Sequence, residues 1–186
     1  MVLQIKKSFG YKNRCEKKRI SFLRKLKRNK NKEFIYLDEC GFRNNEICQY
    51  GWAKKNSRLY ALKEGSQHKC LNIIGGLKNG KLIAPFSFEG SCDASVFNTY
   101  IDKILQPFMN KNTVLILDNA SFHKASNIEI IAKNNGTKVF YLPPYSPDLN
   151  PIEHFWHKVK TKVRKYLRDG IETISKAVDR FFKEGK

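Results

Sequence analysis

Several features are scarce or absent in this sequence, and each absence narrows what it can encode. Only 17 residues are Asp or Glu, against 36 Lys and Arg, and the formal net charge is +19. The five cysteines form no C-x-x-C pair, their number is odd and no signal peptide precedes them, so we expect reduced thiols in a cytosol. No apolar run reaches the roughly 18 residues that a membrane-spanning helix needs. The G-x-x-x-x-G-K-[ST] loop is also missing, which argues against a nucleoside triphosphatase.

The residues that are present predict a folded domain. Hydrophobic residues make up 41% of the 186 positions, and the chain has 13 Phe. A chain of this length fits one domain with room for an appendage, and it can bury about 70% of the surface that the unfolded chain exposes. We therefore expect a substantial hydrophobic core.

Positive charge is concentrated at the two ends of the chain. Residues 1–32 carry 13 Lys and Arg with one acid, residues 33–153 carry 13 with 12 acids, and residues 154–186 carry 10 with 4 acids. A nearly neutral middle between two basic ends predicts a catalytic core flanked by surfaces that bind nucleic acid. The alternative is a merely solvated surface, but an excess of +12 within 32 residues exceeds what solubility requires.

Apolar periodicity predicts an α/β fold. The expected helices are 14–28, 93–109, 124–134, 151–167 and 171–183, and the expected strands are 33–39, 70–77, 81–88, 113–117 and 137–142, with short strand-like segments at 50–53 and 58–62. Gly41 is expected to end the first strand, and Lys78-Asn79-Gly80 to form a hairpin turn. An antiparallel start followed by βαβ elements predicts a mixed five-stranded sheet flanked by helices, which is the element order of the ribonuclease H-like fold.

The first helix is basic and amphipathic. Ile20, Leu23 and Leu26 are expected on one side of it, with Phe22 nearby. Taken alone, this pattern fits a membrane-surface helix or a partner-binding helix equally well.

Three carboxylates occupy positions where elements meet. Asp38 follows the apolar run 34–37, Asp118 follows the apolar run 113–117, and Glu153 lies in the first turn of the long helix near the C-terminus. Because ligand sites in α/β sheets lie at the carboxyl ends of strands, we expect Asp38 and Asp118 within a few ångströms of each other. Crowded carboxylates favour Mg²⁺, and two such ions can promote phosphoryl chemistry. Each acid alone also has a structural interpretation, a strand-end turn for the aspartates and a capping-box position for Glu153.

Three longer motifs carry a resemblance to a known family. They are Phe34-Ile35-Tyr36-Leu37-Asp38-Glu39-Cys40-Gly41-Phe42, Leu115-Ile116-Leu117-Asp118-Asn119-Ala120-Ser121-Phe122-His123 and Tyr141-Leu142-Pro143-Pro144-Tyr145-Ser146-Pro147-Asp148-Leu149-Asn150-Pro151-Ile152-Glu153. They resemble the three catalytic motifs of DDE transposases of the Tc/mariner superfamily, in its bacterial insertion-sequence branch. The 34 residues between Asp118 and Glu153 match that family's interval. Gly51-Trp52-Ala53 with Arg58 is similar to the family's hairpin segment, with Asn56 where Gly is common, and the resemblance covers about residues 5–184.

The resemblance implies an activity, a site and partners. It implies a DDE endonuclease domain of the ribonuclease H-like fold over residues 33–186, which cuts and rejoins DNA in cut-and-paste transposition. The catalytic and metal-binding triad would be Asp38, Asp118 and Glu153, with Mg²⁺ or Mn²⁺, two ions in all. The implied partners are double-stranded DNA, as transposon ends and target, and a second copy of the chain in a homodimer assembled on DNA. The implied location is the bacterial cytoplasm, at the nucleoid.

Residues 1–32 match the linker and approach helix of this family. They leave no room for the helix-turn-helix modules that precede the catalytic domain in full-length relatives. We therefore expect a truncated N-terminal region, either a fragment of a disrupted gene or the second half of a frameshifted product.

Four neighbours of the three acids are candidates for contacts that orient the metal site or touch DNA: Asn119, His123, His157 and Lys160. The histidines, with His154, also fit simple surface or helix-start positions. Two rival functions remain open for the chain as a whole. One is a purely hydrolytic ribonuclease H-like nuclease or resolvase, and the other is an inactive DNA-binding remnant that interferes with a full-length transposase.

Five further residues have structural expectations. Asp148 is expected to brace the proline-rich loop rather than bind metal, and Trp156 to lie in the core rather than stack on a base. Glu39 is expected on the opposite strand face from Asp38. Gly75-Gly76 is expected to mark a bulge or a close approach of the backbone.

Overall fold

The computed structural model describes residues 13–42, 54, 57–58, 60, 70–120, 127–171 and 173–184. The strand-like segments expected at 50–53 and 58–62, and with them the hairpin segment, fall almost wholly outside these residues. The sheet, its flanking helices and most of the three motifs lie within the described residues.

Five strands form one mixed sheet. They are β1 (Glu33–Phe42), β2 (Leu71–Lys78), β3 (Lys81–Glu89), β4 (Thr113–Leu117) and β5 (Lys138–Tyr141). Their order across the sheet is β3-β2-β1-β4-β5. The pairs β1–β2 and β2–β3 are antiparallel, whereas β1–β4 and β4–β5 are parallel. The mixed five-stranded sheet predicted from the sequence is confirmed.

Local sequence explains most strand boundaries, with one exception. Asn79 and Gly80 have φ of 50° and 76°, the left-handed values that a two-residue hairpin turn requires. The β2–β3 register shifts between Ile74 and Gly76, so the expected bulge is confirmed. The expectation that Gly41 ends the first strand is wrong, because β1 continues to Phe42 and Gly41 pairs with Asn72.

Five α-helices accompany the sheet in the described part of the chain. They are α1 (Glu16–Arg28), α2 (Ala94–Tyr100), α3 (Ile128–Asn134), α4 (Pro151–Arg168) and α5 (Ile174–Glu184). Asp93 caps α2 as expected, because its side chain accepts a hydrogen bond from the Val96 N–H at 2.9 Å. The last helix begins three residues later than predicted, where the Thr173 hydroxyl accepts from the Lys176 N–H at 3.2 Å.

The expected continuous helix 93–109 is only partly correct. After Tyr100 the chain forms a π-helical segment, Ile101–Leu105, and then a 3-10 turn, Gln106–Phe108. Pro107 has no backbone N–H and cannot extend an α-helical hydrogen-bond ladder, which explains the change of geometry before this residue.

Helices cover both faces of the sheet. On the α2/α3 face, Ile35 and Leu37 of β1 pack with Phe97 and Tyr100. On the α4/α5 face, strand residues pack against the apolar stripe of α4 and against α5, and the buried members are Cys40, Phe42, Ile73, Leu77, Ile152, Trp156, Val159, Val163, Tyr166, Ile174, Ala177 and Val178. Trp156 is 3% exposed, so its predicted core position is confirmed.

Helix α1 packs on the α4/α5 face of the sheet, over β4 and β5. Phe22 is buried there against Val114, Ile116 and Leu142. The expected apolar side of α1 is wrong, because Ile20 is 47% exposed and the helix instead buries Phe22 and Arg19. In the described residues, no helix combines the length and the apolar character needed to cross a membrane.

Candidate active site

Parallel pairing of β1 with β4 brings two of the three acids together. Glu33 pairs with Thr113 and Tyr36 with Ile116, so each residue of β1 lies beside the residue 80 positions further along the chain. Extending this register by two residues places Asp38 beside Asp118. Because side chains alternate along a strand, both acids lie on the α4/α5 face, and Glu39 faces the other way as expected.

Glu153 reaches the same region from the first turn of α4. The helix packs against the sheet beside Gly75, which pairs with Asp38 across β1–β2. A Cβ at Gly75 would lie 2.9 Å from the Leu82 Cδ1 atom and 3.4 Å from the Trp156 Cη2 atom. A side chain at position 75 would therefore displace Leu82 of β3 and come into contact with Trp156 of α4.

An open cavity of about 520 Å³ lies at the carboxyl end of β4. Its walls are residues 118–120, the loop residues 142–147, Asn150 and Glu153. Asp38 is only 9% exposed and is not part of the wall. A solvent-accessible pair of acids therefore stands in front of a buried third one.

The buried acid is strongly perturbed. Burial, together with the charges of Glu153, Glu39 and Asp118, raises the pKa of Asp38 to about 8. The Glu39 N–H, which donates to the Asp38 Oδ1 atom at 2.9 Å, acts in the opposite direction. Because Glu153 and Asp118 both influence this carboxyl group, the three acids predicted from the sequence are electrostatic neighbours.

The capping-box alternative for Glu153 finds no support in the described residues. The side chain of Asn150 forms no capping hydrogen bond, and the Asn150 N–H donates instead to the Pro147 carbonyl at 2.9 Å. The Asn150 side chain is 4% exposed, and its Oδ1 atom, within the described structure, has no hydrogen-bond partner. An orphaned oxygen in the wall of the cavity fits a polar ligand or a hydrated cation there.

The donor set fits a hard divalent cation. Within the described residues, no three His, Cys, Asp or Glu side chains stand close enough together to enclose an ion as they are placed. Carboxylate and amide oxygens are nevertheless the ligands that Mg²⁺ and Mn²⁺ accept, and a divalent charge would relieve the repulsion that raises the Asp38 pKa. Asp38, Asp118 and Glu153 are the residues that would hold such ions.

The other four predicted site residues differ in where they lie. Asn119 lines the cavity, and its side-chain amide donates to the Leu142 carbonyl, which ties the end of β4 to the proline-rich loop. His157 and Lys160 lie one and two turns beyond Glu153 on α4 and are not among the cavity walls. His123 lies outside the described residues. Direct roles for these four residues remain predictions.

An ion pair joins α1 to the loop that precedes Glu153. The Arg19 guanidinium donates to both carboxylate oxygens of Asp148, at 2.9 and 2.7 Å. This hydrogen-bonded pairing holds the pKa of Asp148 below its usual range. Asp148 does brace the loop, but its partner was not foreseen. The signal was an arginine three residues before Phe22, on the side of α1 that is buried.

Tyr145 was also missed as an individual residue. Its φ is 55°, a left-handed value that is costly for a residue with a side chain, and it lies at the rim of the cavity with 51% of its surface exposed. Pro144 and Pro147 restrict the backbone on either side. No periodicity in the sequence marks such a position, because the strain comes from how the loop closes over β4.

Comparison with known proteins identifies the family. The family model described as DDE superfamily endonuclease matches residues 33–174. An uncharacterized protein of Sinorhizobium fredii, y4pE/y4sA, is 32% identical over 80 residues, which are 42% of this chain and 53% of that protein. The chain therefore spans about half the length of this curated relative.

Solved structures share the fold. The pre-cleavage Mos1 transpososome aligns with a TM-score of 0.64 at 14% identity over 98% of this chain and 66% of that chain. The Mos1 mariner paired end complex with Mn aligns with a TM-score of 0.60 at 13% identity over 96% of this chain and 63% of that chain. At these identities the likeness shows the fold alone, and it confirms the expected ribonuclease H-like sheet flanked by helices. With the family model matching most of its length, the chain belongs to the DDE superfamily endonuclease family.

Proposed function

We propose that this chain is the catalytic domain of a transposase that cleaves DNA strands and transfers them in cut-and-paste transposition of a bacterial insertion sequence. The family match supports a nuclease or polynucleotidyl transferase, and the basic ends of the chain support DNA as its substrate. The proposed assembly is a homodimer on DNA in the bacterial cytoplasm.

One observation carries the proposal. The register of β1 and β4 sets Asp38 beside Asp118, and the charge of Glu153 acts on the buried Asp38 carboxyl. Three acids at the carboxyl edge of a parallel pair, next to an open cavity, suit a reaction on a phosphodiester. Structural roles for each acid separately would not require this grouping.

Each residue of the site has a chemical task in the proposed reaction. Bound Mg²⁺ or Mn²⁺ would supply Lewis acidity at the scissile phosphate and an activated water or 3′-hydroxyl. Asp38, Asp118 and Glu153 would hold the cations, and the Asn119 side chain fixes the end of β4 against the loop. The loop at Tyr145 forms the rim that a DNA strand passes on its way to the acids.

The test replaces one acid of the cavity with an uncharged amide of nearly the same shape. Asp118→Asn should lower Mn²⁺ affinity by roughly tenfold or more and abolish nicking of supercoiled plasmid, because it removes a ligand charge. Asp179→Asn, an exposed change of the same chemistry on α5, should alter neither. Calorimetry with Mn²⁺ and a plasmid assay measure the two effects. Unchanged Mn²⁺ affinity in Asp118→Asn would remove this residue from the site.

A second assay separates transposase from hydrolase. A labelled duplex with a free 3′-hydroxyl end should become joined to target plasmid if the chain transfers strands. Hydrolysis without any joined product, in a reaction that depends on Asp118, would favour the ribonuclease H-like nuclease instead.

A further inference from the structure

A second groove, of about 390 Å³, adjoins the active-site cavity. One side is the face of α1 with Lys18, Ser21 and Lys25, and the other side is β5 with the start of the proline-rich loop. Asn119, Leu142, Pro143 and Pro144 line the groove and the cavity alike, so the two share a wall. A chain molecule that occupies one can continue into the other.

The groove and the cavity carry opposite charge. Asp118 and Glu153 line the cavity, whereas no acid is among the described residues that line the groove. Lys18 and Lys25 are both exposed on its helical wall. The Lys25 Nζ atom lies 5.9 Å from the centroid of the half-buried Phe140 ring, a weak contact that leaves the ammonium at the groove.

The spacing of the two lysines suits one strand of nucleic acid. They are separated by seven residues of α-helix, which rise about 10.5 Å along the axis. One strand of B-form DNA carries a phosphate about every 3.4 Å of helix axis, so this separation corresponds to about three nucleotides. Ser21, between them, offers a hydroxyl donor on the same face.

The helical wall is fixed to the catalytic fold. Phe22 is buried under α1, and Arg19 is ion-paired with Asp148 of the loop. The lysines therefore stand on a helix whose position is set relative to Glu153, rather than on a loosely attached arm. A fixed basic wall can define the path of a strand as well as attract it.

We propose that the groove between α1 and the proline-rich loop binds the phosphodiester backbone of the DNA strand that leads to the cavity, with Lys18 and Lys25 each contacting a phosphate. This inference rests on the proposed function, because it concerns the same DNA. The proposal assigns DNA binding to two particular lysines of α1, whereas the total charge of the helix does not say which residues contact DNA. The lysines of its other faces would then contribute only diffuse attraction.

The experiment compares two pairs of lysines on the same helix. Lys18→Gln with Lys25→Gln removes the groove pair, and Lys17→Gln with Lys27→Gln removes an exposed pair outside the groove. Binding of a 25-base-pair duplex is measured by fluorescence anisotropy in EDTA over a series of salt concentrations. The groove variant should bind about tenfold or more weakly at 0.1 M salt and lower the slope of log K against log salt by about 1.8, as two lost phosphate contacts require. The control variant should stay within about twofold of the wild type.

Equal losses in the two variants would show diffuse electrostatics and overturn the groove assignment, as would an unchanged groove variant. Should the double variant not fold, Ser21→Glu inside the groove should weaken binding more than Ile20→Glu on the opposite side of α1. Because these measurements use no metal and no cleavage, their outcome is separate from that of the nicking assay. Groove-dependent binding without Mn²⁺-dependent nicking would leave this inference standing and remove the proposed chemistry.

Discussion

The two faces of the sheet are formed by the same strands but differ in the acidic residues that lie on them. Asp38 and Glu39 are adjacent on β1, and the alternation of the strand sends them to opposite sides. The pKa of Asp38 is raised by burial and by the charges of Glu153, Glu39 and Asp118. On the other face, burial and then the charge of Glu39 raise the pKa of the Tyr100 hydroxyl and of the Cys92 thiol. Whether an acid near a strand end is a candidate metal ligand thus depends on which other acids lie close to it.

The largest effect on activity should appear when Asp38 and Glu39 are each replaced by the corresponding amide, one at a time. Asp38→Asn should reduce metal-dependent nicking by more than about a hundredfold, since loss of residues that only support metal ligands already costs ten- to a hundredfold. Glu39→Gln, one residue away on the α2/α3 face, should stay within a few-fold of the wild type. Plasmid nicking in Mn²⁺ measures both. Similar losses in the two variants would mean that the faces are not functionally distinct.

Adjacent glycines permit the same comparison through packing. A Cβ at Gly75 would press on Leu82 and touch Trp156 on the α4/α5 face, while a Cβ at Gly76 would lie 2.7 Å from the Ile35 Cγ2 atom on the other face. Both Gly75→Ala and Gly76→Ala should therefore destabilise the fold by about 1–3 kcal/mol, measured by urea unfolding. Only Gly75→Ala should also weaken Mn²⁺ binding, because Gly75 pairs with Asp38 and the added methyl would enter the face that α4 covers.

Equal Mn²⁺ affinity in the two glycine variants, at similar loss of stability, would show that α4 does not transmit packing to the site. A weaker affinity in Gly76→Ala alone would place the sensitive side of the sheet on α2 and α3. Calorimetry with Mn²⁺ below the unfolding midpoint separates these outcomes.

The sequence predicted the sheet and the grouping of the acids because both depend on local patterns. Apolar runs defined β1 and β4, and their parallel pairing then placed Asp38 beside Asp118. The attachment of α1 could not be read in the same way. Ile20 and Leu23 satisfied helical periodicity as well as Phe22 did, and only the tertiary contact with Asp148 selects the face with Arg19. The positive φ of Tyr145 likewise depends on loop closure.

The attachment of α1 to the α4/α5 face should depend on its ion pair. Arg19→Gln should cost about 1–2 kcal/mol, a discounted value because the Asp148 side chain is 52% exposed. Arg24→Gln removes the same charge from an exposed position of α1 and should be nearly neutral. Thermal unfolding at pH 7 compares the two variants. If Arg24→Gln lost as much stability as Arg19→Gln, the loss would be due to net charge and not to the ion pair.

Lowering the pH should remove the stability that the Arg19–Asp148 ion pair contributes. Since hydrogen bonding from Arg19 lowers the pKa of Asp148, the folded state binds fewer protons at this carboxylate than the unfolded state near pH 4. The stabilisation is therefore complete above about pH 4, the ordinary Asp range, and is lost as the pH falls through the lowered pKa. The stability difference between the wild type and Arg19→Gln should narrow below pH 4. A difference that stays constant down to pH 2 would show that packing of the arginine stem, not the ion pair, holds α1.

The smallest effect concerns one unpartnered polar atom on each face. In the described residues, the Tyr100 hydroxyl on the α2/α3 face and the Trp156 Nε1 atom on the α4/α5 face are buried without a hydrogen-bond partner. Tyr100→Phe removes such a group without changing the ring, so stability should stay level or rise by up to about 1 kcal/mol. Trp156→Phe removes ring volume where α4 meets Gly75, so it should lose stability and Mn²⁺ affinity together. Urea unfolding of Tyr100→Phe gives the decisive sign, because a loss above about 0.5 kcal/mol would reveal a buried water that partners the hydroxyl.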